Sequence, residues 1–280
     1  MTHPIVVAVS EGAEAQEAVA LGVTAARLFG APLVLAGVAV VVAPAGATVV
    51  PGWSPPTDDT HLREYVANEL HRQADAVPDD VSCTIQVATA TGVLPGLEII
   101  AEKEEAQLVV VGASHLGPLA RAVHGDIGLG AVRHVGCSVL VVPSAGTVVS
   151  PPRRIGVAWD GGDAAETALE LGAALAERSG AQLTILRAAE AGGATVARAA
   201  LEGVANRFAD RCRCVTELLL APAAGALVTA SADVDLLVVG ARTRKLPASL
   251  WLGSVSTLVL RHARCPVLVV SEGARVPASA

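Results

Sequence analysis

Short apolar runs alternate along the chain with longer amphipathic stretches, and the second half shows the pattern most clearly. IGVAW (155–159) is a β-type run, and residues 164–178 then place Ala, Leu and Gly at helical spacing with Glu166, Glu170 and Glu177 between them. LTILRA (183–188) predicts a second strand and residues 194–211 a second helix. VTELLLA (215–221), a short helix over 225–232, DLLVVGA (235–241), a helix from about 254 and VLVV (267–270) complete the series. The order β-α-β-α-β-α-β-α-β predicts a doubly wound parallel sheet. Strands that are apolar throughout, rather than alternating, fit a sheet covered on both faces.

The same pattern occurs twice. At an offset of 150, Ile5, Val7, Ala8, Gly12, Leu21-Gly22, Gly30-Ala31 and Leu33 fall on identical residues. At an offset of 128, Val110-Val111-Gly112, Gly125, Arg133-His134, Cys137 and Val139-Leu140-Val141-Val142 do so. The change of offset places extra length in the first copy, most simply in the loop around residues 40–60. Two domains, 1–145 and 152–273, are therefore expected, joined where Gly, Ser and Pro cluster. The expected fold is α/β, with two tandem doubly wound domains. Each holds a five-stranded parallel sheet flanked by helices, and a pseudo-twofold relates them.

Composition narrows the function. Hydrophobic residues make up 52% of the 280 and aromatics only 2%, so the cores must be built from Ala, Val, Leu and Ile. So few aromatics leave no base-stacking platform, and a net charge of −7 disfavours nucleic acid and anionic membranes as partners. The charge is uneven. Residues 1–150 hold 6 basic against 15 acidic side chains, whereas residues 151–280 hold 14 against 12. The uncharged stretch from Leu28 to Thr57 is broken by nine Gly and Pro residues, so it is read as a buried strand and a loop rather than a membrane span. Five cysteines and a start with no basic, apolar leader point to reduced thiols in the cytoplasm. Cys212 and Cys214 are too close for a routine disulfide and lack a second ligand pair for zinc. They are read as small residues at a helix–strand junction.

Ligands of doubly wound sheets bind at the carboxyl ends of strands where the strand order reverses. There the second copy has Asp160 after its first strand, and Gly240 at the end of its fourth. Arg242, Thr243, Arg244 and Lys245 follow. Gly253 and Ser254 then open the last helix, with Val255 and Ser256 in its first turn. A glycine at a helix start lets backbone N–H groups approach a phosphate, and the helix dipole favours an anion there. Trp159 and Trp251 flank this region and are read chiefly as core residues. His115, His124 and Asp126 lie close in sequence but lack a metal-binding spacing, so no metal is expected. His134 and His262, at equivalent places, suit the ends of the last helices.

These residues resemble the universal stress protein family in its tandem two-domain form, across essentially the whole chain. The ATP-binding members carry an Asp after strand one and G-x2-G-x9-G-[ST] after strand four. Asp160, Gly240, Gly253 and Ser254 match, whereas Thr243 replaces the second glycine. In the first copy Gly112 and Gly125 match, but Ser10, His115 and Asp126 replace the other positions. LRHARCPVLVV (260–270) is similar to the closing signature, and the resemblance implies that the two last strands pair antiparallel. It also implies a cytosolic stress-response module that binds ATP or another adenine nucleotide in the second domain only. Asp126 would fill the first site with an internal carboxylate. The alternative is a protein-interaction module with both sites degenerate. No general base or dedicated metal carboxylate stands out, so catalysis beyond slow ATP hydrolysis is not expected. Homodimerisation is a further expectation.

Overall fold

The computed structural model describes residues 2–9, 13–41, 59–112, 127–142, 148–241 and 253–277. The first half runs β1 (Ile5–Ala8), α1 (Ala13–Phe29), β2 (Leu33–Val40), α2 (Thr60–Ala74), β3 (Cys83–Ala90), α3 (Val93–Lys103), β4 (Leu108–Gly112), α4 (Ile127–His134) and β5 (Ser138–Val142). The second runs β6 (Arg154–Ala158), α5 (Asp163–Ser179), β7 (Gln182–Ala188), α6 (Ala194–Asn206), β8 (Cys214–Leu219), α7 (Ala223–Ala230), β9 (Leu236–Gly240), α8 (Ser254–His262) and β10 (Val267–Val270). His134 and His262 end α4 and α8, where a cation suits the dipole.

All ten strands form one sheet in the order β3-β2-β1-β4-β5-β10-β9-β6-β7-β8. Each half is a parallel, doubly wound set whose order reverses between its first and fourth strands. The seam is the sheet's antiparallel step: Val139, Leu140 and Val141 pair with Val269, Leu268 and Val267. Each closing Val-Leu-Val-Val run thereby covers the other's edge, which would otherwise present unpaired backbone groups. At one end of the seam the Ser271 N–H donates to Ser138 Oγ at 3.1 Å, inside the protein.

Side-chain alternation along the strands divides the core in two. Ile5, Val7, Leu33, Leu35, Ile155, Val157, Leu183 and Ile185 face α1, α5 and the buried Phe208. Val6, Val34, Val109, Val111, Val139, Leu237 and Val239 face the other layer, with residues of α3, α4, α7 and α8. Helix α5 shows why the amphipathic pattern holds. Ala165, Ala168, Leu169, Leu171, Gly172, Leu175 and Ala176 are buried, while Glu166, Glu170 and Glu177 reach its outer flank. Gly172 is obligatory there, since an added Cβ would lie 2.5 Å from Val157 Cγ2.

One boundary differs from the sequence expectation. The helix expected over 194–211 stops at Asn206. Bonds from Arg207 N to Val204 O, Phe208 N to Ala205 O and Arg211 N to Phe208 O tighten the chain into turns. These swing Phe208 into the core, where it is 1% exposed. Among the described residues no helix is long and apolar enough to cross a membrane. The stretch once open to that reading supplies β2, and its residues 42–57 lie outside the described residues.

Candidate functional site

At the carboxyl ends of β6 and β9, where the strand order reverses, lies a cavity of about 360 Å³. Its size falls within the range of about 300–1,000 Å³ common for small-molecule sites. Ala158, Leu186, Ala188 and Val239 give it an apolar floor at the strand ends. Asp160, Gly240, Gly253, Ser254, Val255 and Ser256, the described members of the sequence-predicted set, all line it. Arg242 and Thr243, with Arg244, Lys245 and Trp251, lie outside the described residues, as do Ser10, His115, His124, Gly125 and Asp126 of the first half.

Three helix N-termini converge on the cavity: Gly162–Ala165 of α5, Ala223 of α7 and Gly253–Ser256 of α8. Their N-caps are Gly162, Pro222 and Gly253, and none makes a side-chain capping bond. Three sets of first-turn N–H groups therefore carry their partial positive charge toward one space. Helix α8 has no acidic residue in its first turn, whereas α5 has Asp163 and Glu166. The ends of α7 and α8, neither with an acidic residue in its first turn, are thus better places for an anion than that of α5.

The two motif glycines have different physical reasons. An added Cβ on Gly240 would lie 2.3 Å from the backbone oxygen of Ala164, so this glycine lets the first turn of α5 approach the end of β9. A Cβ on Gly253 would meet nothing within 4 Å. Its φ of −63° is open to any residue, so neither strain nor packing requires glycine there. What its absent side chain leaves is open space on the cavity wall.

Asp160 sits on the turn that leads into α5. Its Oδ1 accepts the Gly162 N–H at 2.9 Å, and Gly161 between them adopts a left-handed φ of +87°. Trp159 shares the core face of Val157 and is 8% exposed, in keeping with a core tryptophan, although it also borders the cavity. Its indole N–H donates to Glu166 Oε1 at 2.8 Å, and the Arg187 guanidinium lies 4.8 Å from its ring centroid. Glu166 also accepts from Arg207 at 2.8 Å. Arg207 continues to Glu170, and Arg211 links Glu170 to Glu177. Burial pushes the Glu166 carboxyl upward, but hydrogen bonds from Arg207 and Trp159 outweigh it and hold the group below the usual carboxylate range. The charged ladder ties α5 to the turn after α6 and so fixes the helix whose N-terminus borders the cavity.

Sequence reasoning did not include Ala158, Leu186, Ala188, Ala223 or Leu227 in the site, nor the supporting roles of Glu166, Arg187 and Arg207. Only Gly161-Gly162 after Asp160 carried a readable signal of the turn. All five cysteines are free thiols, with Cys212 and Cys214 at the helix–strand junction expected for them. No cluster of three or more metal-binding side chains occurs among the described residues.

The fold and the cavity define a doubly wound α/β protein of two joined halves, with a ligand-sized crevice at the second half's switch point. The model of the universal stress protein family matches residues 1–143 and 215–271. A universal stress protein of Mycobacterium tuberculosis strain H37Rv is 31% identical over 293 residues, covering 96% of this chain and 97% of the relative. Another universal stress protein of that species is 27% identical over 295 residues, covering 96% of each chain. The crystal structure of a universal stress protein from Archaeoglobus fulgidus shares the fold, with a TM-score of 0.73 and 17% identity across 96% of each chain. The chain belongs to the universal stress protein family.

Proposed function

We propose that the protein is a cytosolic stress-response module that binds ATP or another adenine nucleotide in the cavity of its second domain, 152–273. The supporting observation is the convergence of three uncapped helix N-termini on one cavity with an apolar floor. The chemistry of the lining suits the two ends of such a ligand. Ala158, Leu186, Ala188 and Val239 suit an aromatic base, and Asp160 can accept from a base amino group or a ribose hydroxyl. The N–H groups of Ser254, Val255 and Ser256, with two serine hydroxyls, suit phosphate oxygens. Gly253 leaves the space that such an approach needs. In this reading the first domain, 1–145, does not bind nucleotide, and the protein works by occupancy rather than turnover.

One observation favours the alternative of a protein-interaction module without nucleotide. Asp160 Oδ1 already serves the turn by accepting the Gly162 N–H, which is a structural role. Denaturing the purified protein and assaying the supernatant for nucleotide, together with thermal melts in millimolar ATP, separates the two readings. The nucleotide reading expects release or a rise in melting temperature that Gly253→Asp abolishes. No release and no shift support the interaction module.

A further inference from the structure

A second cavity, of about 260 Å³, lies between the two halves and shares no residue with the first. Strand β10 runs antiparallel to β5, so its carboxyl end meets the amino ends of the first half's strands. The tail after β10, with Ser271 and Gly273–Arg275, forms one wall. His3, Glu105, Gln107 and Gly136 of the first half form the other. The volume falls below the range of about 300–1,000 Å³ common for drug-sized ligands, which suits an occupant smaller than a nucleotide.

The two walls differ in charge. Helices α3 and α4 both end at the first-half wall: Glu105 follows the C-cap of α3, and Gly136 lies just beyond the end of α4. The carbonyls of their last turns carry partial negative charge, the reverse of the three N-termini at the other cavity. Glu105 adds a full charge. Among the described residues it is the one non-glycine with a left-handed φ, +50°, at a helix end where glycine is usual. Its carbonyl accepts from His3 Nδ1 at 2.9 Å. A carbonyl cannot donate, so the proton is on Nδ1 and the neutral ring offers Nε2 as an acceptor. The Gln107 amide nitrogen donates to the His3 carbonyl, which leaves Oε1 as another acceptor. The tail wall instead brings the Arg275 guanidinium, a fork of N–H donors.

We propose that this cavity binds a free α-amino acid, its ammonium group on the first-half wall and its carboxylate on Arg275. The ammonium draws on Glu105, His3 Nε2 and Gln107 Oε1, and the carboxylate matches the guanidinium fork. A simple cation would leave Arg275 unanswered, and a simple anion would face Glu105 and two helix C-termini. A zwitterion satisfies both walls. The remaining lining at Ala106, Cys137 and Ala274 is small and uncharged, which suits a side chain of the same kind. The repeat does not duplicate the acceptor set. Arg153, Asp235 and Arg264 stand where the first half has His3, Gln107 and Gly136, and Asp235 is engaged by the Arg153 and Arg154 N–H groups. One site per chain is therefore expected.

The test is isothermal titration of the full-length chain at neutral pH with L-alanine, L-serine and L-valine. Ethylamine and propionate serve as analogues of alanine that keep one charge each. The expected result is one site per chain for at least one amino acid and none for either analogue. Arg275→Ala and Glu105→Gln should each weaken binding at least about tenfold, as the loss of a hydrogen bond to a charged group does. Gly253→Asp, which alters the other cavity, and Arg198→Ala, which removes an exposed cation on α6, should leave it unchanged. Circular dichroism confirms the fold of each variant. No binding of any of the three amino acids, equal binding of ethylamine or propionate, wild-type affinity in Arg275→Ala or Glu105→Gln, or loss of binding in Gly253→Asp or Arg198→Ala overturns the proposal.

Discussion

The two glycines bordering the cavity should respond to substitution in opposite ways. In Gly240→Ala the new Cβ would sit 2.3 Å from Ala164 O and 2.5 Å from Ala164 C. Both atoms are backbone, so no side-chain rotation relieves the clash, and the first turn of α5 must retreat by roughly 1 Å. Overpacking of this kind costs about 1–3 kcal/mol. At about 2–4 °C per kcal/mol for a large domain, the melting temperature should fall by about 2–12 °C. Gly253→Ser is the matched control. Its side chain enters open space, and serine is a better N-cap than glycine by a few tenths of a kcal/mol. Its melting temperature should hold or rise slightly, while the hydroxyl competes for the α8 N–H groups and weakens anion binding. Differential scanning calorimetry of the two variants without ligand gives the comparison. Equal shifts in the same direction, or a Gly240→Ala protein as stable as the wild type, would refute the separate roles given to these residues.

Other consequences follow from particular contacts. Asp235 is 8% exposed and accepts the backbone N–H groups of Arg153 and Arg154 at 2.9 Å each, fixing the entry to β6. Asp235→Ala should destabilise the protein by about 1–3 kcal/mol, read by urea denaturation, because two backbone donors lose their acceptor. Glu166 has its carboxyl held low, so its contribution to stability is present above the unfolded-state value and is lost as pH falls through the folded one. Glu166→Gln should therefore melt at a temperature less sensitive to pH on the acid side than the wild type, and equal acid slopes would contradict this. Burial pushes Cys137 and Cys265 up to about 12, so mass-spectrometric mapping of brief alkylation at pH 8 should find both unmodified in the native protein and modified in urea.

Much of the fold was legible because each half states it independently. The repeated apolar runs gave the succession of strands and helices along the chain, and Leu140 opposite Leu268 realises the antiparallel seam that the family resemblance implied. The end of α6 was not legible, because the residues after Asn206 keep a helical composition. Burial of Phe208, a tertiary effect, decides where the helix stops. For the cavity, Asp160, Gly240 and Gly253 could be read from spacing, since glycines and a strand-end carboxylate are sparse and positional. Ala158, Ala188 and Ala223 could not, because alanine marks a floor only once three strands and a helix meet. The Trp159–Glu166–Arg207 connection was equally hidden: it joins a strand end, a helix and the turn after another helix. The family match leaves residues 144–214 between its two segments, and these include Asp160 and the first turn of α5.

The central claim is that the second-half cavity takes an adenine nucleotide and the first half does not. Isothermal titration of ligand-free protein with ATP tests it most directly, with Gly253→Asp measured alongside. The account predicts one site per chain in the wild type and no heat of binding in the variant. Two sites per chain, none, or an unchanged isotherm in Gly253→Asp would contradict it.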